Sequence, residues 1–149
     1  MKSFISNSPK ETADIAASLV ADKTVQKGDF VAFLGNLGAG KTAFSRGILK
    51  GVFELYGGKD KTDAVVSPTF SIINVSDSAV PVWHCDFYRI RGEDDLYMTG
   101  FYDCDFDEVI VLAEWSEMIP FAIPENALFV EIRGEGERRE ITVFKNGEK

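Results

Sequence analysis

The stretch Gly35-Asn36-Leu37-Gly38-Ala39-Gly40-Lys41-Thr42 constrains the fold of this chain more than any other. It follows G-x-x-x-x-G-K-[ST], the phosphate-binding P-loop pattern. Before it stands Phe30-Val-Ala-Phe-Leu34, an apolar run of strand length. After it, Thr42-Ala43-Phe-Ser-Arg-Gly-Ile-Leu-Lys50 predicts a helix that runs on to about Tyr56. Strand, glycine loop and helix are the setting that the motif requires. Each glycine removes a side chain where backbone must curl around phosphate. The exposed N–H groups of such a loop form an anion-binding nest. The helix behind it adds unpaired N–H groups and a partial positive charge. Lys41 is expected to reach the β- and γ-phosphates, and the Thr42 hydroxyl to hold Mg²⁺. A glycine-rich turn beside an ordinary surface lysine would not explain the Gly-Lys-Thr order. A nucleoside triphosphate site spanning Gly35 to Ala43 is the expectation.

The 149 residues fit one domain, 1–149. The net charge of −8 argues against independent, tight nucleic-acid binding, which calls for a basic face. A local basic patch around Arg133, Arg138 and Arg139 remains compatible with it. The longest apolar run, Val109-Ile-Val-Leu-Ala113, is far too short to span a membrane. The start, Met1-Lys-Ser-Phe-Ile-Ser-Asn-Ser-Pro9, lacks the core of a signal peptide, so a cytoplasmic protein is expected. Cys85 and Cys104 suit a reducing compartment as free thiols, and no Cys/His spacing resembles a zinc site.

Along the chain, Ser8-Pro-Lys-Glu11 reads as a helix start, with a capping Ser, Pro in the first turn and Glu three residues on. The helix continues to Ala21. Phe70 to Val75 and Val80 to Cys85 predict strands, the second with Pro81 at its start or on an edge. Arg91 to Thr99 predicts a short helix, and Asp103 to Glu108 an acidic loop. Val109–Ala113 is the strongest buried-strand signal. Leu128–Arg133 and Glu140–Phe144 read as a hairpin joined by Gly134-Glu-Gly-Glu-Arg138. The alternation implies an α/β fold: a P-loop NTPase-type sheet, mainly parallel at its core, with added antiparallel strands and helices on both faces. Ligands then sit at the carboxyl ends of the parallel strands.

A P-loop enzyme needs a carboxylate at the end of a neighbouring strand to help hold Mg²⁺ or order water. Glu114 ends the run Val109–Ala113, and Asp86 ends the run Val80–Cys85. Acids also stand at strand ends for solubility alone. Ser67-Pro68-Thr69 places two hydroxyls around a fixed turn, a form suited to sensing a γ-phosphate or to a plain turn. In His84-Cys-Asp-Phe-Tyr-Arg89, a strand would put His84 and Asp86 on one face. Trp115, beside Glu114, is expected to pack in the core or against another ring.

Taken in order, Gly35–Thr42, Ser67-Pro-Thr-Phe70, His84-Cys-Asp-Phe-Tyr-Arg89 and Glu114-Trp115 resemble the TsaE family (also called YjeE). Its members are small bacterial ATPases of tRNA threonylcarbamoyladenosine synthesis. The resemblance spans about residues 8 to 140. It implies ATP and Mg²⁺ as ligands and TsaD and TsaB as partner proteins, with tRNA met indirectly through their complex. By motif, Lys41 binds phosphate, Thr42 and Glu114 hold Mg²⁺, and Asp86 acts near the γ-phosphate or its water. Ser67, Pro68 and Thr69 form a switch-like loop. Thr12 falls where family members contact the base end of the nucleotide. An Arg of the last hairpin, assigned here to Arg138 with Arg139 as the alternative, approaches it from the other side. Asn36 stands where the family often has Asp, and Gly57–Thr62 is a slightly long insert.

Two other functions share the P-loop. A small-molecule kinase needs an Arg-bearing lid, and the stretch Glu93–Glu108 carries no Arg. A non-hydrolysing, nucleotide-dependent binding module would not need Lys41, Thr42 and two strand-end acids together. The absence of an N-K-x-D pattern favours ATP over GTP.

Overall fold

The two most apolar runs of the chain lie side by side at the centre of a seven-stranded sheet. They are β2 (Phe30–Leu34) and β5 (Ile110–Glu114), and they pair in parallel. In the computed structural model, residues 1–35, 38–58 and 72–148 are described, with the backbone alone at Gly38 and Ala39. The remaining strands are β1 (Lys2–Ser6), β3 (Ile73–Val75), β4 (Val82–Asp86), β6 (Leu128–Arg133) and β7 (Arg139–Lys145). Their order across the sheet is β1-β7-β6-β2-β5-β4-β3. The inner four, β6-β2-β5-β4, are parallel, and β1, β7 and β3 pair antiparallel at the flanks. Strands buried on both faces need no polar alternation, which is why β2 and β5 read as continuous apolar runs.

The helices are α1 (Pro9–Ala21), α2 (Gly38–Tyr56) and α3 (Glu93–Met98). α1 starts as its sequence dictates. The Ser8 side chain accepts from Glu11 N, and the Glu11 carboxylate accepts from Asn7 N at 2.7 Å. α2 ends at Gly57, whose φ of +86° suits the left-handed position that closes a helix. α1 and α2 cover one face of the sheet, over Val31, Phe33, Ile110, Leu112, Val130 and Ile141. The other face is covered by α3 and by 3₁₀ turns at 101–103, 116–118 and 120–122, over Phe30, Ala32, Cys85, Val111 and Ala113.

The predicted α/β architecture is observed, with helices on both faces. The short helix is Glu93–Met98 rather than Arg91–Thr99. Pro81 precedes an inner strand, β4, and so marks a strand start, not an edge. Lys2–Ser6 forms a strand that the sequence did not announce, because only Phe4 and Ser6 of it face inward. Both cysteines are buried free thiols. Among the described residues, no helix is long and apolar enough to cross a membrane.

Candidate functional site

The P-loop leaves β2 through Gly35, at φ +100°. A Cβ there would lie 2.3 Å from the Ile132 carbonyl oxygen, so only glycine lets β2 turn this close to β6. Gly40 sits in the first turn of α2. A Cβ there would meet Ile132 Cγ2 at 2.9 Å and Arg139 Nε at 3.4 Å. The first N–H groups of a helix have no partner within it. A helix of 19 residues that opens at Gly38 therefore presents its positive end at the end of β2. Lys41 is buried there, and its carbonyl accepts from Ser45 Oγ at 2.9 Å. Thr42 is half-buried and Ala43 buried. Asn36 and Leu37 lie outside the described residues, as do Ser67, Pro68 and Thr69 of the expected switch-like loop.

Both candidate carboxylates stand at the carboxyl ends of adjacent parallel strands. Asp86, last in β4, is the register partner of Glu114, last in β5. Alternation along a strand puts Glu114 on the face of Ile110 and Leu112, and His84 and Asp86 on the face of Val82. That is the face covered by α2. His84 Nε2 donates to Glu114 Oε2 at 2.7 Å, and the two residues are only 6% and 8% exposed. The bond orients the carboxylate through Oε2. Asp86 is half-buried, and its Oδ1 accepts from Tyr88 N at 2.9 Å.

A small cleft of about 40 Å³ adjoins the loop, lined by Ser8, Pro9, Thr12, Gly40, Ala43, Glu137 and Arg139. Ser6 Oγ donates to the Ser8 carbonyl at 2.8 Å, which leaves Thr12 Oγ1 to donate to Ser6 Oγ at 2.7 Å. Of the two hairpin arginines, Arg139 lines this cleft and Arg138 does not. Arg138 is exposed and pairs with Glu140 at 3.0 Å. Arg139 donates to the carbonyls of Gly136 and Arg138. Alternation explains the choice: Arg139, Ile141 and Val143 share the inner face of β7. That pattern was present in the sequence and would have separated the two arginines. Ser8 and Pro9 were legible as a helix start and not as cleft residues, and Glu137 had no motif to reveal it.

Trp115, expected in the core or against a ring, is 42% exposed and packs on Tyr88 with ring centroids 4.8 Å apart. Its φ of +59° swings the chain out of β5 directly after Glu114.

Among the described residues, no group of three His, Cys, Asp or Glu is placed to hold a metal unaided. Magnesium bound with a nucleotide asks for less: one or two protein oxygens beside phosphate oxygens and waters. The Thr42 hydroxyl and the anchored Glu114 carboxylate are hard oxygen donors of that kind. The helix terminus, the buried lysine and the two close-approach glycines, Gly35 and Gly40, fit a phosphate chain.

The chain is similar to known proteins over most of its length. The family model described as "Threonylcarbamoyl adenosine biosynthesis protein TsaE" matches residues 6–141. A protein of Bacillus subtilis (strain 168) named tRNA threonylcarbamoyladenosine biosynthesis protein TsaE is 33% identical over 144 residues, covering 95% of this chain and 84% of that one. A protein of the same name from Treponema pallidum (strain Nichols) is 28% identical over 141 residues, covering 93% of this chain and 97% of that one. The crystal structure of YdiB from Bacillus subtilis superposes with a TM-score of 0.67 at 30% identity, covering 98% of this chain and 86% of that one.

Proposed function

The chain belongs to the TsaE family, and from that premise we propose that it is a cytoplasmic, Mg²⁺-dependent P-loop ATPase serving tRNA threonylcarbamoyladenosine synthesis through TsaD and TsaB. One observation carries the chemical part of this reading. A buried carboxylate, Glu114, fixed by His84, ends the strand beside the one that turns into the P-loop.

ATP would lie with its phosphates on the loop and on the amino end of α2, and its base end toward the cleft of Thr12 and Arg139. Thr42 and Glu114 would hold Mg²⁺, which when bound neutralises charge on the β- and γ-phosphate oxygens. Lys41 stabilises the same oxygens as charge shifts toward the leaving group. Asp86, at the edge of the pair, orients the attacking water. The water oxygen bonds to the γ-phosphorus as the bond to the β–γ bridging oxygen breaks, giving ADP and hydrogen phosphate while the other water proton leaves to solvent. His84 keeps Glu114 in place throughout and touches no reacting atom.

Turnover alone is expected to be weak and to rise with partners. The test is ATP hydrolysis by the purified protein, alone and with the matching TsaD–TsaB pair, with Lys41→Ala as control. Strong stimulation that vanishes in the variant supports the reading. ATP binding without association or stimulation removes the pathway role, and phosphorylated product from a panel of hydroxyl acceptors would replace it with a kinase.

A further inference from the structure

At the opposite end of the parallel strands from the P-loop lies a pocket of about 300 Å³. It opens beside the first residues of β2 and β5, on the face away from α1 and α2. Its walls are the rings of Phe30, Phe101, Tyr102 and Phe106, and Asp29 and Asp107 stand among its lining. Phe101 is the hub of the rings, with centroids 5.1 Å from Phe106 and 5.7 Å from Tyr102. Tyr102 and Phe106 are 39% and 37% exposed, so rings packed on the buried Phe101 reach the surface.

The surface around the pocket is strongly negative. The stretch 93–108 carries Asp or Glu at seven positions, all exposed, and no Lys or Arg. Nearby cations offset only part of it. Lys27 is already paired with Glu108 at 3.2 Å, and Lys145 acts on Asp29 from β7. Tyr97 and Met98 stand 71% and 83% exposed on the same stretch, extending the apolar part of the surface beyond the pocket.

Rings with carboxylates at their edge select one chemistry: a planar cation on an apolar stem. Ring faces attract the cation. Carboxylates accept the guanidinium fork. The surrounding acids repel nucleic acid and attract basic polypeptide. We propose that this pocket and the acidic surface around it bind a basic segment of a partner protein, with one Arg side chain seated among the rings. Burial raises the Asp29 carboxyl from its ordinary value, and a cation beside it, adding to Lys145, would offset that cost. The surface is separate from the nucleotide site and does not depend on its assignment.

The test is a ¹⁵N NMR titration of the whole chain with a 12-residue peptide of alternating Gly and Arg. The control peptide carries citrulline at every Arg, keeping the stem and planar head without the charge. Shifts centred on Gly28, Phe101, Tyr102, Phe106 and Asn126, at least tenfold weaker binding of the citrulline peptide, and at least threefold weaker binding by both Phe106→Ala and Asp107→Asn are expected. ATP binding should stay unchanged in both variants. Asp107→Asn alters an exposed side chain, so it reports even if Phe106→Ala fails to fold. Shifts spread over the acidic surface without the pocket amides would reduce the effect to general charge attraction and overturn the proposal. So would equal binding of the citrulline peptide, no binding, or stronger shifts of the same amides by a 12-nucleotide RNA.

Discussion

The two faces of the sheet are covered by different means. On one, α1 and α2 meet backbone to backbone. A Cβ at Gly47 would lie 2.1 Å from the Ala13 carbonyl oxygen, and one at Gly51 would lie 2.8 Å from Val20 Cβ. Glycine here is a condition of contact, although it lowers helix propensity. On the other face, α3 has six residues, and much of the cover is rings: Phe101 sits 5.3 Å from Phe87 and 6.5 Å from Phe30. Close helix contact leaves α2 little freedom, so the lysine and the helix terminus stay aimed at one place. Ring packing fills space with fewer backbone constraints and leaves Tyr102 and Phe106 partly exposed at the surface. The rigid packing lies under the face where the proposed phosphate chemistry would need fixed dipoles, and the looser packing on the face that carries the acidic pocket.

The hardest test of this contrast is Gly47→Leu. The new side chain has backbone on its path, which cannot rotate away. The variant should lose cooperative unfolding, or more than about 5 kcal/mol of stability, in chemical denaturation followed by circular dichroism. Phe101→Ala should cost less, about 3–4 kcal/mol, the usual effect of emptying a buried ring site. It should still bind nucleotide at low temperature, because the α1–α2 face is untouched. Equal losses of nucleotide binding in the two variants, measured where each is folded, would show that the faces are not independent.

Next in size are effects on the chemistry. His84→Ala removes the bond that orients Glu114 and should slow ATP hydrolysis about 10–100-fold, as loss of a ligand's supporting partner does. His84→Gln, which restores a donor, should recover part of the rate. Nucleotide affinity without Mg²⁺ should change little in both. If His84→Ala destabilises the protein but leaves the rate per folded molecule intact, the bond is structural only.

How much of this was legible beforehand follows from range along the chain. The strand-loop-helix unit, the Ser8 cap, β5 and the closing hairpin are local patterns, written in residues within one or two turns of each other. The His84–Glu114 bond joins residues 30 positions apart. Neither residue signals the other, and only the parallel register of β4 and β5 brings them together. β1 failed for a different reason: with Ile5 51% exposed, its inward set is too small to show a period of two. The close α1–α2 contact had no signal in the sequence, because the α1 backbone that Gly47 and Gly51 admit lies more than twenty residues away. Arg139 was recoverable, since Ile141 and Val143 mark the inner face of its strand.

A smaller effect belongs to the ring-packed face. Burial pushes the Cys104 thiol up to about 11 from an ordinary 9.0, with Asp105 beside it adding to the rise. The native state keeps a proton that the unfolded chain releases between those values. The resulting stabilisation is full below about pH 9 and is lost as pH climbs toward 11. The urea midpoint should therefore fall more between pH 8 and pH 10 in the unaltered protein than in Cys104→Ala. Equal falls would mean that this thiol is solvated in the native state.

The smallest effect separates the two kinds of helix most directly. α1 is capped by the Ser8 side chain, whereas α3 begins at Gly92 with no side-chain cap. Gly92 has extended backbone, φ −179°, that any residue adopts, and open space where a Cβ would stand. Gly92→Ser should add a cap and restrict the unfolded chain, a gain of a few tenths up to about 0.5 kcal/mol. A rise in the urea midpoint of that size would show that α3 still depends on its own ends. No rise would mean that Leu96, fully buried under the rings, already fixes the helix through packing alone, so that even the loosely covered face is governed by its side chains and not by helix propensity.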